Sequence, residues 1–277
     1  MKMFCELEKV ALYYETYGEG KPLLMLHGYG VDHHLMTGCM EPLFAERNGW
    51  KRIYPDLPGM GRTRLNEKEW LRNSDQMLEI IMDFIQTVLP GQNFAVAGES
   101  YGGYLARGLV KRIPDRLDGL LLICPCIIPD RMQRDLPPPR VLHADPQLLA
   151  GLGATERTEF EAMAVVQNEY TWRRFRDEIM PGVRLADEAF LTRLQRDGYG
   201  FSFPVDDLAQ PFARPALILA GGQDGVVGYR DAWRILANFP RATFAVLDKA
   251  GHNLQIEQAG LFQTLAAEWL DRLETFK

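Results

Sequence analysis

An apolar run at residues 93–97 meets Gly98-Glu99-Ser100-Tyr101-Gly102 without a spacer, and a helix-like pattern begins at once. That order spells strand, sharp turn, helix. A serine at such a turn sits in strained backbone with its hydroxyl lifted off the sheet edge, and small residues must flank it because neighbouring backbone passes close. Gly98 and Gly102 meet that demand, so Ser100 is the candidate nucleophile.

The surrounding pattern alternates strand and helix. Residues 2–17 carry β-rich segments closed by Gly18-Glu19-Gly20, which predicts an antiparallel opening at one edge of a sheet. Short apolar runs at 22–26, 52–54, 119–124, 215–220 and 243–247 predict further strands, several apolar throughout as parallel strands covered on both faces are. Helical spacing predicts covering helices over 74–89, with Ser74 as N-cap, and near 229–238. A last helix carries Leu261, Phe262, Leu265, Trp269, Leu270 and Leu273 on one face. Parallel βαβ units follow from this alternation. It stops after Pro125: residues 126–210 hold amphipathic stretches and no comparable apolar strand, which predicts a helical insertion in a core built from 1–125 and 211–277.

At 277 residues and 47% hydrophobic, the chain suits one large core with an insertion. A net charge of -6 gives no reason to expect nucleic acid or an anionic membrane as a partner, since both reward clustered Lys and Arg. Charges interrupt the first residues and no stretch approaches a membrane span, so a soluble, cytoplasmic protein without a signal peptide is expected. Cys5, Cys39, Cys124 and Cys126 are too few and scattered for a disulfide scaffold, and read as reduced packing residues.

A serine hydroxyl needs a base, and the base needs a group that fixes its tautomer. Asp224, in Gly221-Gly222-Gln223-Asp224-Gly225, and His252, in Ala250-Gly251-His252-Asn253, each follow the carboxyl end of a predicted strand, where open α/β sheets put their sites. Asp206, Asp207 and Asp231 compete for the carboxylate role, and His27, His33, His34 and His143 fit the base role less well. The oxyanion needs two backbone donors, assigned to the amides of Tyr101, after the nucleophile, and Tyr29, in the loop after residues 22–26. Asp56 and the glycines behind it read as turn architecture, and Arg173 and Arg174 as a solvated helix face rather than a carboxylate clamp. Glu99 tempts as a second acid beside the nucleophile, but a residue before the serine of such a turn often serves the turn or the pocket wall, and its role is open. Met163, Val166, Tyr170, Trp172 and Phe175 line an apolar pocket or dock the insertion.

Through His27-Gly28-Tyr29-Gly30, residues 56–61, Gly98 to Gly103, Asp224 and Gly251-His252, the chain resembles an α/β-hydrolase fold serine hydrolase with a helical cap over nearly its whole length. The resemblance implies an eight-stranded, mostly parallel sheet, a capping insertion, an acyl-enzyme intermediate and no cofactor or metal. Hydrolysis of a small or medium carboxylic ester is the expected reaction. Carbon-carbon bond hydrolases of ring-cleavage products, proline iminopeptidases, cofactor-free haloperoxidases and receptor-like homologues share the pattern. Ring-cleavage hydrolases tend to carry Asn where this chain has Glu99, and the aminopeptidases Trp where it has Tyr101.

Overall fold

The apolar runs become the inner strands of a central sheet. In the computed structural model, which describes residues 1–66 and 71–276, the strands are β1 (Lys2–Glu6), β2 (Val10–Tyr17), β3 (Lys21–Leu26), β4 (Trp50–Pro55), β5 (Arg64–Leu65), β6 (Phe94–Glu99), β7 (Leu117–Ile123), β8 (His143–Ala144), β9 (Val166–Gln167), β10 (Ala216–Gly221) and β11 (Ala242–Leu247). The main sheet runs β1-β2-β4-β3-β6-β7-β10-β11, with β5 paired to β2. Only the pairings of β2 with β1, β4 and β5 are antiparallel within it; the rest of the path is parallel. The eight expected strands form the path. The two-residue β5 is a ninth, too short and too polar to show as an apolar run.

Some helices cover the sheet with their apolar faces, and others lie in the insertion. These are α1 (His34–Met40), α2 (Ser74–Val88), α3 (Tyr101–Arg112), α4 (Pro146–Gly151), α5 (Ala154–Met163), α6 (Glu169–Glu178), α7 (Met180–Leu185), α8 (Glu188–Asp197), α9 (Arg230–Arg234), α10 (Leu254–Glu257) and α11 (Ala259–Thr275). Met77, Ile80, Ile81, Phe84 and Ile85 of α2 are buried, as their spacing predicts. Its cap is Asn73 instead of Ser74: Asn73 accepts from the Gln76 amide, while Ser74 is the first helical residue and its hydroxyl pairs with the Tyr101 hydroxyl and the Tyr199 carbonyl. Tertiary partners drew the serine inward and left the cap to its neighbour. On α11, Phe262, Trp269, Leu270 and Leu273 are buried, but Leu261 is half exposed, one residue off the inward face. The predicted helix near 229–238 splits into α9 and a 3-10 turn at Leu236–Asn238.

Between β7 and β10 the chain builds α4 to α8 and a two-stranded parallel pairing of β8 with β9. Phe160, Trp172 and Phe175 pack ring to ring there, with centroids 5.3 to 6.3 Å apart. All four cysteines are free and buried. No helix among the described residues is long and apolar enough to cross a membrane.

The tightest packing lies where β6 turns into α3. A Cβ at Gly98 would overlap the Gly102 carbonyl, and one at Gly102 would overlap the Leu26 carbonyl of β3. By contrast a Cβ at Gly260, in the first turn of α11, meets nothing within 4 Å. Gly102→Ala is therefore expected to cost about 2 kcal/mol or more, and Gly260→Ala to be neutral or stabilising by up to about 1 kcal/mol. Urea unfolding midpoints compare the two, and equal midpoints would refute the close-crossing account.

Candidate active site

Ser100 caps α3 with φ 50° and ψ -111°, a left-handed conformation that L side chains rarely adopt. The strain is held from both sides: its amide donates to the Ile123 carbonyl at 2.9 Å, and its carbonyl accepts from Tyr104 and Cys126 amides at 3.1 and 3.0 Å. The turn thereby lifts the hydroxyl over the carboxyl ends of the parallel strands.

Asp224 and His252 follow the ends of β10 and β11. His252 Nε2 lies 2.9 Å from Ser100 Oγ, and His252 Nδ1 lies 2.9 Å from Asp224 Oδ2. Asp224 Oδ1 accepts from the Val226 and Val227 amides at 2.8 and 3.1 Å, which fixes its plane. Since Asp224 faces Nδ1, that nitrogen carries the proton and Nε2 is left to accept one from Oγ. Burial works against the Asp224 charge, but His252 and the two amides outweigh it and hold the carboxyl below its ordinary range. Burial alone would lower His252; Asp224 and Glu99 overcome it and push the imidazole up to about 9.

The loop after β3 closes the other side. A Cβ at Gly28 would lie 3.4 Å from Ser100 Cβ, so this loop passes directly beside the nucleophile. His27 braces it: its Nε2 accepts from the Leu57 amide at 2.8 Å and its Nδ1 meets the Gly28 carbonyl at 2.7 Å. Complete burial lowers His27 and keeps it neutral for that bridge. Tyr29 stands in this loop with its ring edge-on to Tyr101, centroids 5.4 Å apart, and its hydroxyl donates to the Leu191 carbonyl of α8. The Tyr101 amide opens α3, among the helix amides that have no intrahelical partner.

The competing residues are engaged elsewhere or exposed. Asp231 accepts from the Asp135 amide and pairs with Arg234, Asp206 pairs with Arg107 at 3.2 Å, and His143 is exposed. Asp56 binds the His33 ring and the Arg62 amide, the turn role expected of it. Arg174 is partly buried and tied to Glu178 and Tyr170, so the solvated face expected of the pair holds for exposed Arg173 alone. Among the described residues, two clusters have ligand atoms close enough for a metal, Asp32 with His33 and His34, and Cys124 with Asp224 and His252. In the first, His33 and His34 are hydrogen-bonded to Asp56 and Asp32. In the second, burial raises the Cys124 thiol far from its thiolate, and both nitrogens of His252 already face partners.

One residue escaped sequence reasoning altogether. Glu257, in α10, accepts from the Gly251 amide at 2.6 Å with Oε2 and from the Val165 and Val166 amides at 2.6 and 3.0 Å with Oε1. It ties the segment leading into β9 to the loop that carries His252. Nothing in the sequence marks it, because two of the three amides it serves lie more than 90 residues away.

Comparisons with known proteins place the fold. The family description "alpha/beta hydrolase fold" matches residues 21–259. The chain is 29% identical to the pimeloyl-[acyl-carrier protein] methyl ester esterase of Aeromonas salmonicida over 247 residues, 86% of this chain and 91% of that protein. It is 25% identical to the 2-hydroxymuconate semialdehyde hydrolase of Pseudomonas putida over 271 residues, 91% of this chain and 88% of that one. A crystal structure of an alpha/beta superfamily hydrolase from Oenococcus oeni superposes with a TM-score of 0.87 at 28% identity, covering 95% of this chain and 97% of that one.

The histidine environments give a direct check. Followed by NMR, His252 should titrate well above the ordinary imidazole value of about 6.5, with a folded value near about 9, while His27 stays neutral at pH 6. Protonation of His252 is thus complete in acid and lost as pH rises through that raised value. A His252 midpoint at or below the ordinary value would contradict the carboxylates placed around it.

Proposed function

The chain belongs to the α/β-hydrolase fold family, and from that premise we propose that it is a serine hydrolase of small or medium carboxylic esters. The observation that carries this reading is the unbroken hydrogen-bonded line from Ser100 through His252 to Asp224. His252 Nε2 takes the Ser100 proton as Oγ bonds to the ester carbonyl carbon, and Asp224 holds the tautomer and the charged ring. The amides of Tyr29 and Tyr101 receive the oxyanion. Nε2 then returns its proton to the departing alcohol oxygen, which leaves acyl-Ser100 and a neutral ring. Water repeats the attack with the same base and releases the acid. The substrate is a small molecule, and no cofactor or metal takes part.

Residues 126–210 act in this reading as a cap. Ser100 and His252 are only 6% and 8% exposed, which favours a substrate that is enclosed while it reacts. The Aeromonas salmonicida relative, named for a methyl ester, supports an ester over other bonds. The Pseudomonas putida relative supports a second reading, carbon-carbon bond hydrolysis with the same three residues, although Glu99 stands where those hydrolases tend to carry Asn.

A panel of p-nitrophenyl esters of rising acyl length, run beside a ring-cleavage dienoate, separates the two. Ester turnover is expected to dominate, to fall by about 10⁴-fold or more in Ser100→Ala, and to fall by a similar factor in Asp224→Asn while the fold survives. Turnover that persists in Ser100→Ala would refute the nucleophile, and no turnover of any panel member by folded protein would favour a ligand-binding homologue.

A further inference from the structure

A buried carboxyl with an oxygen left unbonded is costly and calls for an explanation. Glu99, the last residue of β6, is 2% exposed and its Oε1 has no hydrogen-bond partner. Its Oε2 fills the space that a side chain at Gly28 would take, so the carboxyl is wedged between the loop after β3 and the imidazole. Oε1 lies 3.4 Å from His252 Nε2, the same nitrogen that faces Ser100 Oγ at 2.9 Å. Asp224 meets the other ring nitrogen. The imidazole is therefore flanked by a carboxyl at each nitrogen.

We propose that Glu99 is a positioning residue that holds the imidazolium form of His252 from the Nε2 side, as Asp224 holds it from the Nδ1 side. This rests on the reading of Ser100 and His252 as nucleophile and base. When Glu99 and His252 share one proton beyond the one on Nδ1, it sits either on Nε2 facing the carboxylate or on Oε1 facing the Nε2 lone pair. Neither form leaves Nε2 free to receive from Ser100. Loss of that proton gives an ionised Glu99 beside a neutral ring, which is the productive form. The Ser100 proton then moves to Nε2 as the Oγ–C bond forms, and the imidazolium stands between two carboxylates until it passes the proton to the leaving oxygen.

The other groups around the ring do not supply this effect. Arg134, from the segment after β7, lowers His252, and burial keeps the Cys124 thiol neutral. Glu257 spends its oxygens on the Gly251, Val165 and Val166 amides. Burial raises Glu99 itself to about 8, with the ionised Asp224 adding to the rise and His252 opposing it. The pair thus titrates as one unit above the ordinary imidazole range.

Glu99→Gln keeps the shape and removes the charge. Measured from pH 5 to 10 on a p-nitrophenyl ester, the acid limb of kcat/KM should move down by about 1 to 3 pH units relative to wild type, so that at pH 6 the variant retains at least about tenfold more of its plateau rate. Glu99→Asp, which keeps a carboxylate, should leave the limb nearer its wild-type position. A limb that does not move in Glu99→Gln, with Ser100→Ala inactive, overturns this role and leaves the esterase reading standing. Activity retained by Ser100→Ala overturns the reading beneath it instead. If Glu99→Gln does not fold, wild-type protein with ¹³C-labelled glutamate decides the matter. Coupled midpoints for the Glu99 carboxyl and the His252 ring support the pair, and independent midpoints overturn it.

Discussion

Everything in the site depends on three backbones passing closer than side chains allow. Gly98 lies against the Gly102 carbonyl, Gly102 against the Leu26 carbonyl, and between them Ser100 is forced to a positive φ. That conformation is unfavourable for a serine in isolation and is sustained only because β6 is hydrogen-bonded between β3 and β7, while the Ser100 amide and carbonyl are both bound. The inner sheet is thus more than a scaffold: its parallel register fixes where the strained turn stands, and the turn fixes where the hydroxyl points.

Much of this was legible in the sequence, for a physical reason. Parallel strands covered on both faces must be apolar throughout, so 22–26 and 215–220 announce themselves, and a strand-to-helix turn with backbone in contact admits only glycine around its serine. Asp224 and His252 were readable because strand ends are few and each holds one suitable side chain. What failed depended on tertiary partners. Ser74 looks like a cap by type but is drawn to Tyr101 and Tyr199, so Asn73 caps instead. Leu261 fits the spacing of α11 but falls just off its inward face. The bonds made by Glu257 join amides 92, 91 and 6 residues away, and local pattern cannot see them. Glu99 was visible as a residue, yet its meaning lies in the distance to His252, which only the folded chain supplies.

The electrostatics follow from burial. Asp224, Glu99 and His252 are almost wholly removed from water, where an isolated charge is costly and a paired one is not. Each carboxyl answers differently. Asp224 receives two backbone amides and the ring and remains ionised; Glu99 has the ring alone, and burial raises its carboxyl to about 8. Two acids within reach of one imidazole are therefore set apart by how many donors the fold gives each of them.

The long excursion between β7 and β10 leaves and rejoins the sheet at neighbouring strands, since Leu120 to Ile123 pair directly with Ala216 to Leu219. A detour whose ends are already clasped together can lengthen, shorten or be replaced at a cost that grows only with the logarithm of its length. Variation can therefore accumulate in that detour while the neighbouring strands keep their pairing.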